Sequence, residues 1–191
     1  MIKREIDANW KCPICSISLE TFLNIYPTRK SVVNHYCHTR EILFHYLKRY
    51  RYINYQDVEY NWSVMNGLGR FSSLDICDVC NILECRLKIK RDTRSIIPTP
   101  FSFAPEEMME FIFFDGEEHE MDESKALKIY FSISESWLET TVSRSISNVI
   151  SSIPKLNSLP LEKIASIGAE MKRELLSHSP QMYRNRPNKG K

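Results

Sequence analysis

The sequence predicts an α+β fold, in which a cysteine-stapled N-terminal module precedes a β-hairpin and two helices. Three observations lead there. Two Cys-x-x-Cys pairs, Cys12-Pro13-Ile14-Cys15 and Cys77-Asp78-Val79-Cys80, stand about sixty residues apart. Leu127, Ile129, Phe131 and Ile133 alternate along the chain, the period of a half-buried strand. Trp137, Leu138, Val142, Ile146, Val149, Ile150 and Ile153 then form an apolar stripe at helical spacing, as do Leu161, Ile164, Ile167, Met171 and Leu175.

At 191 residues the chain has room for one domain or for a small and a modest one, with a buried core. The net charge of +2 excludes no partner, but its distribution is uneven. Up to Ile97 there are fifteen Lys/Arg against ten Asp/Glu; from Pro98 to His178 there are seven against fourteen; from Ser179 onward there are four and none. Basic ends around an acidic middle point to a polyanionic partner. Met1-Ile2-Lys3-Arg4-Glu5 leads into no apolar run of the signal-peptide kind, and no stretch is apolar enough to span a membrane. Six cysteines with neighbouring histidines then read as reduced thiols on metal, in an intracellular setting (cytoplasm or nucleus), rather than as three disulfides.

Taken in order, Trp10 is expected to pack against the first cysteine turn. Residues 17–33, with Pro27, read as a loop or irregular hairpin. From Thr39, a candidate N-cap, Ile42, Leu43, Tyr46, Leu47 and Tyr50 fall on one helical face, with Lys48, Arg49 and Arg51 on the other. His45 on this helix reads as a partly buried structural residue. Tyr52, Tyr55, Tyr60 and Trp62 form either an aromatic core patch or a surface on which bases stack. Gly67 and Gly69 break the chain before the second cysteine pair, after which a helix is expected over about residues 80–90. Pro98, Pro100 and Pro105 make residues 92–105 a linker between a 1–91 module and a 106–178 region. Within the latter, Phe111–Phe114 and Leu127–Ile133 read as strands. The acidic stretch from Asp115 to Glu123, with His119 in it, reads as their solvated loop. The tail 179–191, after His178, reads as basic and disordered.

The chemistry concentrates at the cysteines. Zinc in structural sites takes four ligands in a tetrahedron and favours thiolate. Cys12, Cys15, Cys77 and Cys80 supply such a set. A rival arrangement closes one site from Cys12, Cys15 and two of His35, Cys37 and His38, and another from Cys77, Cys80, Cys85 and one further residue.

The order Cys-x-x-Cys, then Asn34-His35-Tyr36-Cys37-His38, then Cys77-Asp78-Val79-Cys80-Asn81-Ile82-Leu83-Glu84 resembles the phage recombination endonuclease VII family, HNH nucleases of ββα-metal fold. The resemblance spans residues 10–91. It implies structural Zn2+ on the four cysteines and a catalytic Mg2+ or Mn2+ on Asn34 and Asn81. It also implies His35 as the base that activates water, Glu84 as an assisting group, and DNA as substrate. Such chemistry is coherent: a divalent ion neutralises the phosphodiester, and a neutral imidazole takes the proton of the attacking water. The family's usual Asp-His-x-His stands here as Asn34-His35-Tyr36-Cys37-His38, one residue longer and with Asn for Asp. The sequence therefore leaves open an endonuclease, an inactive derivative that still binds nucleic acid, and a non-catalytic zinc protein acting through protein or nucleic-acid partners. The 106–178 region carries no recognisable chemistry and is expected to dimerise or to bind a partner.

Overall fold

The computed structural model describes residues 6–53, 64–65, 67–89, 96–98, 100–150 and 153–177. Tyr55, Tyr60, Trp62 and the basic tail lie outside them. The fold class is α+β, as the sequence leads one to expect.

The first cysteine turn is closed by Cys12 N–H donating to Ile17 O (3.0 Å) and Ser16 N–H to Cys12 O (2.8 Å), with Ser16 in the left-handed region at φ 62°. Helix α1 (Leu19–Ile25) follows, where a loop was expected. Ser18 caps it by accepting from Thr21 N (3.1 Å), and Phe22 anchors it in the core. A short apolar helix with a single buried residue leaves too little periodicity to read. Strand β1 (Val32–His35) then pairs antiparallel with β2 (Leu74–Cys77), with Val33 opposite Ile76 and His35 opposite Leu74. Between them run α2 (Thr39–Arg49) and a return loop; after β2 comes α3 (Asp78–Ile89). Two antiparallel strands and a helix thus meet at the second cysteine pair.

In the return loop Gly69 has φ +91°, and a Cβ there would stand 2.8 Å from Cys37 Cβ, so only glycine fits. Its N–H donates to the buried Ser145 Oγ (3.0 Å).

The expected linker is not one where it is described. Ile97, Phe101, Ser102 and Phe103 are buried. Phe101 makes edge contacts with Phe103, Tyr130 and Trp137 at centroid distances of 5.0, 5.1 and 5.7 Å. The prolines that suggested a linker bend the chain through the core instead. Pro105 opens the short helix α4 (Pro105–Met108).

The expected second strand is a helix. Strand β3 (Ile112–Phe114) pairs with β4 (His119–Met121), which lies in the stretch read as loop. Residues 127–133 belong to α5 (Glu123–Ile133), capped by Asp122 accepting from Lys125 N (2.9 Å). Ala126 and Tyr130, four apart, are buried, while Phe131 is exposed. The alternation of Leu127, Ile129, Phe131 and Ile133 was therefore a coincidence of composition, overridden by the cap and the Ala126–Tyr130 face. Helices α6 (Trp137–Ile150), α7 (Pro154–Asn157) and α8 (Leu161–Ser177) complete the chain, with α6 and α8 at the expected stripes.

Two apolar cores result, and each draws on both ends of the chain. One joins Cys12, Ile14, Phe22 and Ile76 to Phe101, Phe111, Ala126 and Trp137. The other joins Leu43, Tyr46 and Leu47 of α2 to Val142, Ile167, Met171 and Leu175. A division into 1–91 and 106–178 therefore does not follow the packing. Helix α2's basic face is partly engaged: Arg49 pairs with Glu174 (3.0 Å), and Tyr46 donates to Glu170 (2.7 Å). His45 is exposed rather than partly buried. Among the described residues no helix is long and apolar enough to cross a membrane.

Candidate metal centre and the histidine pocket beside it

The first turn delivers Cys12 and Cys15; the end of β2 and the first turn of α3 deliver Cys77 and Cys80. Their four sulfurs all lie within 4.8 Å of one another. Cys12 Sγ is 4.0 Å from Cys80 Sγ, and Cys15 Sγ is 3.8 Å from Cys77 Sγ. A Zn–S bond of about 2.3 Å sets neighbouring sulfurs of a tetrahedron about 3.8 Å apart. The group therefore has the dimensions of a four-thiolate metal site and can hold an ion such as zinc. Cys12, Cys77 and Cys80 are buried and Cys15 is half-buried.

Local backbone supports negative charge here. Cys77 N–H points at Cys12 Sγ (3.4 Å) and Cys80 N–H at Cys77 Sγ (3.4 Å), and the N-terminal end of α3 adds its dipole. Crowded thiols cannot ionise together without a cation. The Cys15 thiol is drawn far below its usual range by Cys12 first, then by Cys77 and Cys80. Cys77 and Cys80 are pushed far up, chiefly by Cys12 and then by Cys15. A dication at the centre would remove that conflict by favouring thiolate at all four.

The remaining candidate ligands stand elsewhere. Cys37 is buried with its Sγ 2.7 Å from Thr39 Oγ1 and accepting from Arg70 N (3.4 Å). Cys85 is half-buried on α3, outside the sulfur group. His35 and His38 are likewise outside it.

The family resemblance singles out His35, Asn34, Asn81 and Glu84. Alternation along β1 sends Asn34 and His35 to opposite faces. Asn34 is exposed and donates from Nδ2 to Asp75 Oδ1 (3.0 Å). His35 is 1% exposed, stacks on Phe71 with centroids 5.3 Å apart, and donates from Nε2 to Phe103 O (3.0 Å). Its Nδ1 lies 3.4 Å from Asn81 Oδ1. The Phe103 carbonyl can only accept, so Nε2 carries a hydrogen, and Nδ1 faces the Asn81 amide oxygen. Glu84 is fully buried. It forms an ion pair with Lys88 one turn on and accepts from Phe103 N (3.4 Å). Its Oε2 has no hydrogen-bond partner among the described residues. His38 is held neutral, its pKa pushed down to about 4 by burial and then by the Lys88 charge.

Sequence reasoning missed the segment that covers this pocket. Ser102 Oγ accepts from His38 N (2.9 Å), Arg70 Nη1 donates to Ser102 O (2.8 Å), and Glu107 accepts from Ala104 N (2.7 Å) while pairing with Arg70. It also missed His119. Read as solvated, His119 is half-buried with Nε2 3.2 Å from Cys15 Sγ and 3.5 Å from Cys77 Sγ. No local pattern marks either feature, because both arise from contacts across the chain. Comparison with models of known protein families, with curated proteins and with solved structures finds no match to this chain.

Proposed function

We propose that this chain is a zinc protein built on the HNH plan that binds nucleic acid, DNA in the first instance, without cutting it. Zn2+ on Cys12, Cys15, Cys77 and Cys80 would be structural: four thiolates leave no open position for substrate, and the ion ties the first turn to the β2–α3 junction. The ββα arrangement at that junction and the opposition of His35 and Asn81 support the HNH plan.

One observation carries the non-cleaving part: the imidazole of His35 is 1% exposed, with Nε2 committed to the Phe103 carbonyl and Nδ1 turned to Asn81. A general base needs a lone pair on a water beside the phosphodiester. Here the ring is bonded through Nε2 and buried away from solvent.

A second reading, a Mg2+- or Mn2+-dependent endonuclease with His35 as base, Asn81 as metal ligand and Glu84 assisting, is favoured by the 3.4 Å approach of His35 to Asn81. It requires a water to reach Nδ1 of the buried ring. The test is incubation of linear and branched DNA with the full chain and Mg2+ or Mn2+, with His35→Ala and Asn81→Ala beside it. Retarded but uncut DNA is the expected result. Metal-dependent cutting lost in both variants would establish the second reading instead. Absence of binding to any DNA or RNA would overturn both and leave a zinc protein acting on protein partners.

A further inference from the structure

The four-sulfur group has a neighbour that does not belong to it. His119, at the start of β4, stands 104 residues beyond Cys15. Its Nε2 approaches Cys15 Sγ (3.2 Å) and Cys77 Sγ (3.5 Å), so it sits over the edge between the two cysteine pairs. Its Nδ1 is 3.1 Å from Tyr26 Oη.

The donor arithmetic follows once a metal holds Cys15 as thiolate and the imidazole is neutral. A thiolate only accepts, and a neutral imidazole has one N–H and one lone pair. Nε2 therefore carries the hydrogen and donates to sulfur, while Nδ1 accepts the Tyr26 hydroxyl proton. Tyr26, the C-cap of α1, in this way sets the tautomer of a histidine on β4. The placement is built. Asp115 Oδ1 accepts from Glu117 N (2.8 Å) and Glu118 N (2.9 Å) to shape the turn, and Gly116 at φ +112° completes it. His119 then pairs across the hairpin with Phe114, whose ring packs on the imidazole at 5.1 Å.

For Cys15 the N–H donor comes from a side chain and not from the backbone. Cys12 and Cys77 accept from backbone N–H groups, whereas the N–H donor on Cys15 among the described residues is His119. Cys15 is also the one half-buried member of the group, hence the side from which a competing ligand would arrive. Four thiolates on a dication carry a net charge of −2, and each N–H donated to sulfur spreads that charge and holds the ligand in place.

We propose that His119 is a positioning residue of the metal centre: an N–H donor to Cys15 and Cys77, oriented by Tyr26, that retards release of the ion. This rests on the zinc reading above. It also makes the C-terminal hairpin a part of the metal centre.

The test uses the full chain loaded with Zn2+ and, separately, with Co2+. The readouts are the rate of metal transfer to a chelating dye and the cobalt–thiolate charge-transfer band. His119→Phe should release metal about 10- to 100-fold faster. It should also shift that band while keeping the four-sulfur d–d pattern. His119→Gln, which keeps an N–H near Nε2, should recover part of the wild-type rate. Tyr26→Phe, which removes one hydroxyl, should fall between, and these two variants carry the test if His119→Phe does not fold. Wild-type rates and an unshifted band in the folded variants would overturn the proposal. So would a changed d–d pattern, which would make His119 a ligand. A wild-type chain that binds neither metal on its cysteines would instead overturn the zinc reading itself.

Discussion

The ring of His35 and the main chain of Phe103 are joined by a 3.0 Å hydrogen bond across 68 residues. Phe103 is held at its other end too, its N–H donating to Glu84 Oε1 at 3.4 Å. Two side chains that the family resemblance assigns to catalysis thus grip one buried residue between them. The same contact that satisfies the backbone of Phe103 fixes the ring of His35 in a buried setting, 1% exposed.

Removing the His35 ring should therefore act on stability. His35→Ala leaves the Phe103 carbonyl buried without a donor and opens a gap against Phe71. A cost of roughly 1–3 kcal/mol follows from an unsatisfied buried group. Urea unfolding of the metal-loaded chain measures it. His35→Gln, which can still donate, should cost less than His35→Ala; equal costs would argue that the bond contributes nothing.

Metal analysis separates the cysteines. One zinc per chain is expected, retained in Cys37→Ser and Cys85→Ser and lost in Cys80→Ser. Structural zinc contributes on the order of 10 kcal/mol near neutral pH. Chelation under reducing conditions should therefore unfold the segments around the first cysteine turn and the β2–α3 junction, seen as loss of far-UV ellipticity. Two ions per chain, or loss of the ion in Cys37→Ser, would contradict the four-cysteine site.

Glu84 and Lys88 form a buried pair on successive turns of α3, both less than 10% exposed. Breaking such a pair from one side strands a charge and costs roughly 3–5 kcal/mol. Lys88→Met should be that damaging. Glu84→Gln with Lys88→Met removes both charges and should regain most of the loss in a urea titration. A double variant as unstable as the single one would place the cost in packing.

His38 supplies a pH dependence. Its folded pKa, about 4, lies below the ordinary value of 6.5 because burial, and then the Lys88 charge, disfavours the imidazolium. Between those values the unfolded chain binds a proton that the folded chain does not. The stabilising difference is fully present above pH 6.5 and is lost as pH falls toward 4. His38→Gln should flatten that part of the profile of unfolding midpoint against pH. Since acid also competes for the thiolates in both proteins, the difference between the two profiles is the quantity to read. Parallel profiles would exclude His38 as a cause.

The parts legible in the sequence are those with local periodicity or paired spacing. The stripes of α6 and α8, the face of α2 and the two cysteine turns all declare themselves within a few residues. The alternation at 127–133 misled because Ala126 and Tyr130 set the face of α5 and Asp122 caps it. The prolines at 98, 100 and 105 misled because a turn-rich segment can be buried when its polar groups find partners. Ser102, Phe103 and Ala104 find theirs on His38, Arg70, His35, Glu84 and Glu107.

By itself the amino-acid order determined two cysteine pairs, each spaced to aim its sulfurs at one ion, and left their partners open; the fold brought the two pairs to one point. Only the tertiary structure decided what surrounds that point. It set His119 over the Cys15–Cys77 edge and laid Phe103 across His35 and Glu84, because such contacts follow from how separated segments pack into a common core rather than from their spacing along the chain.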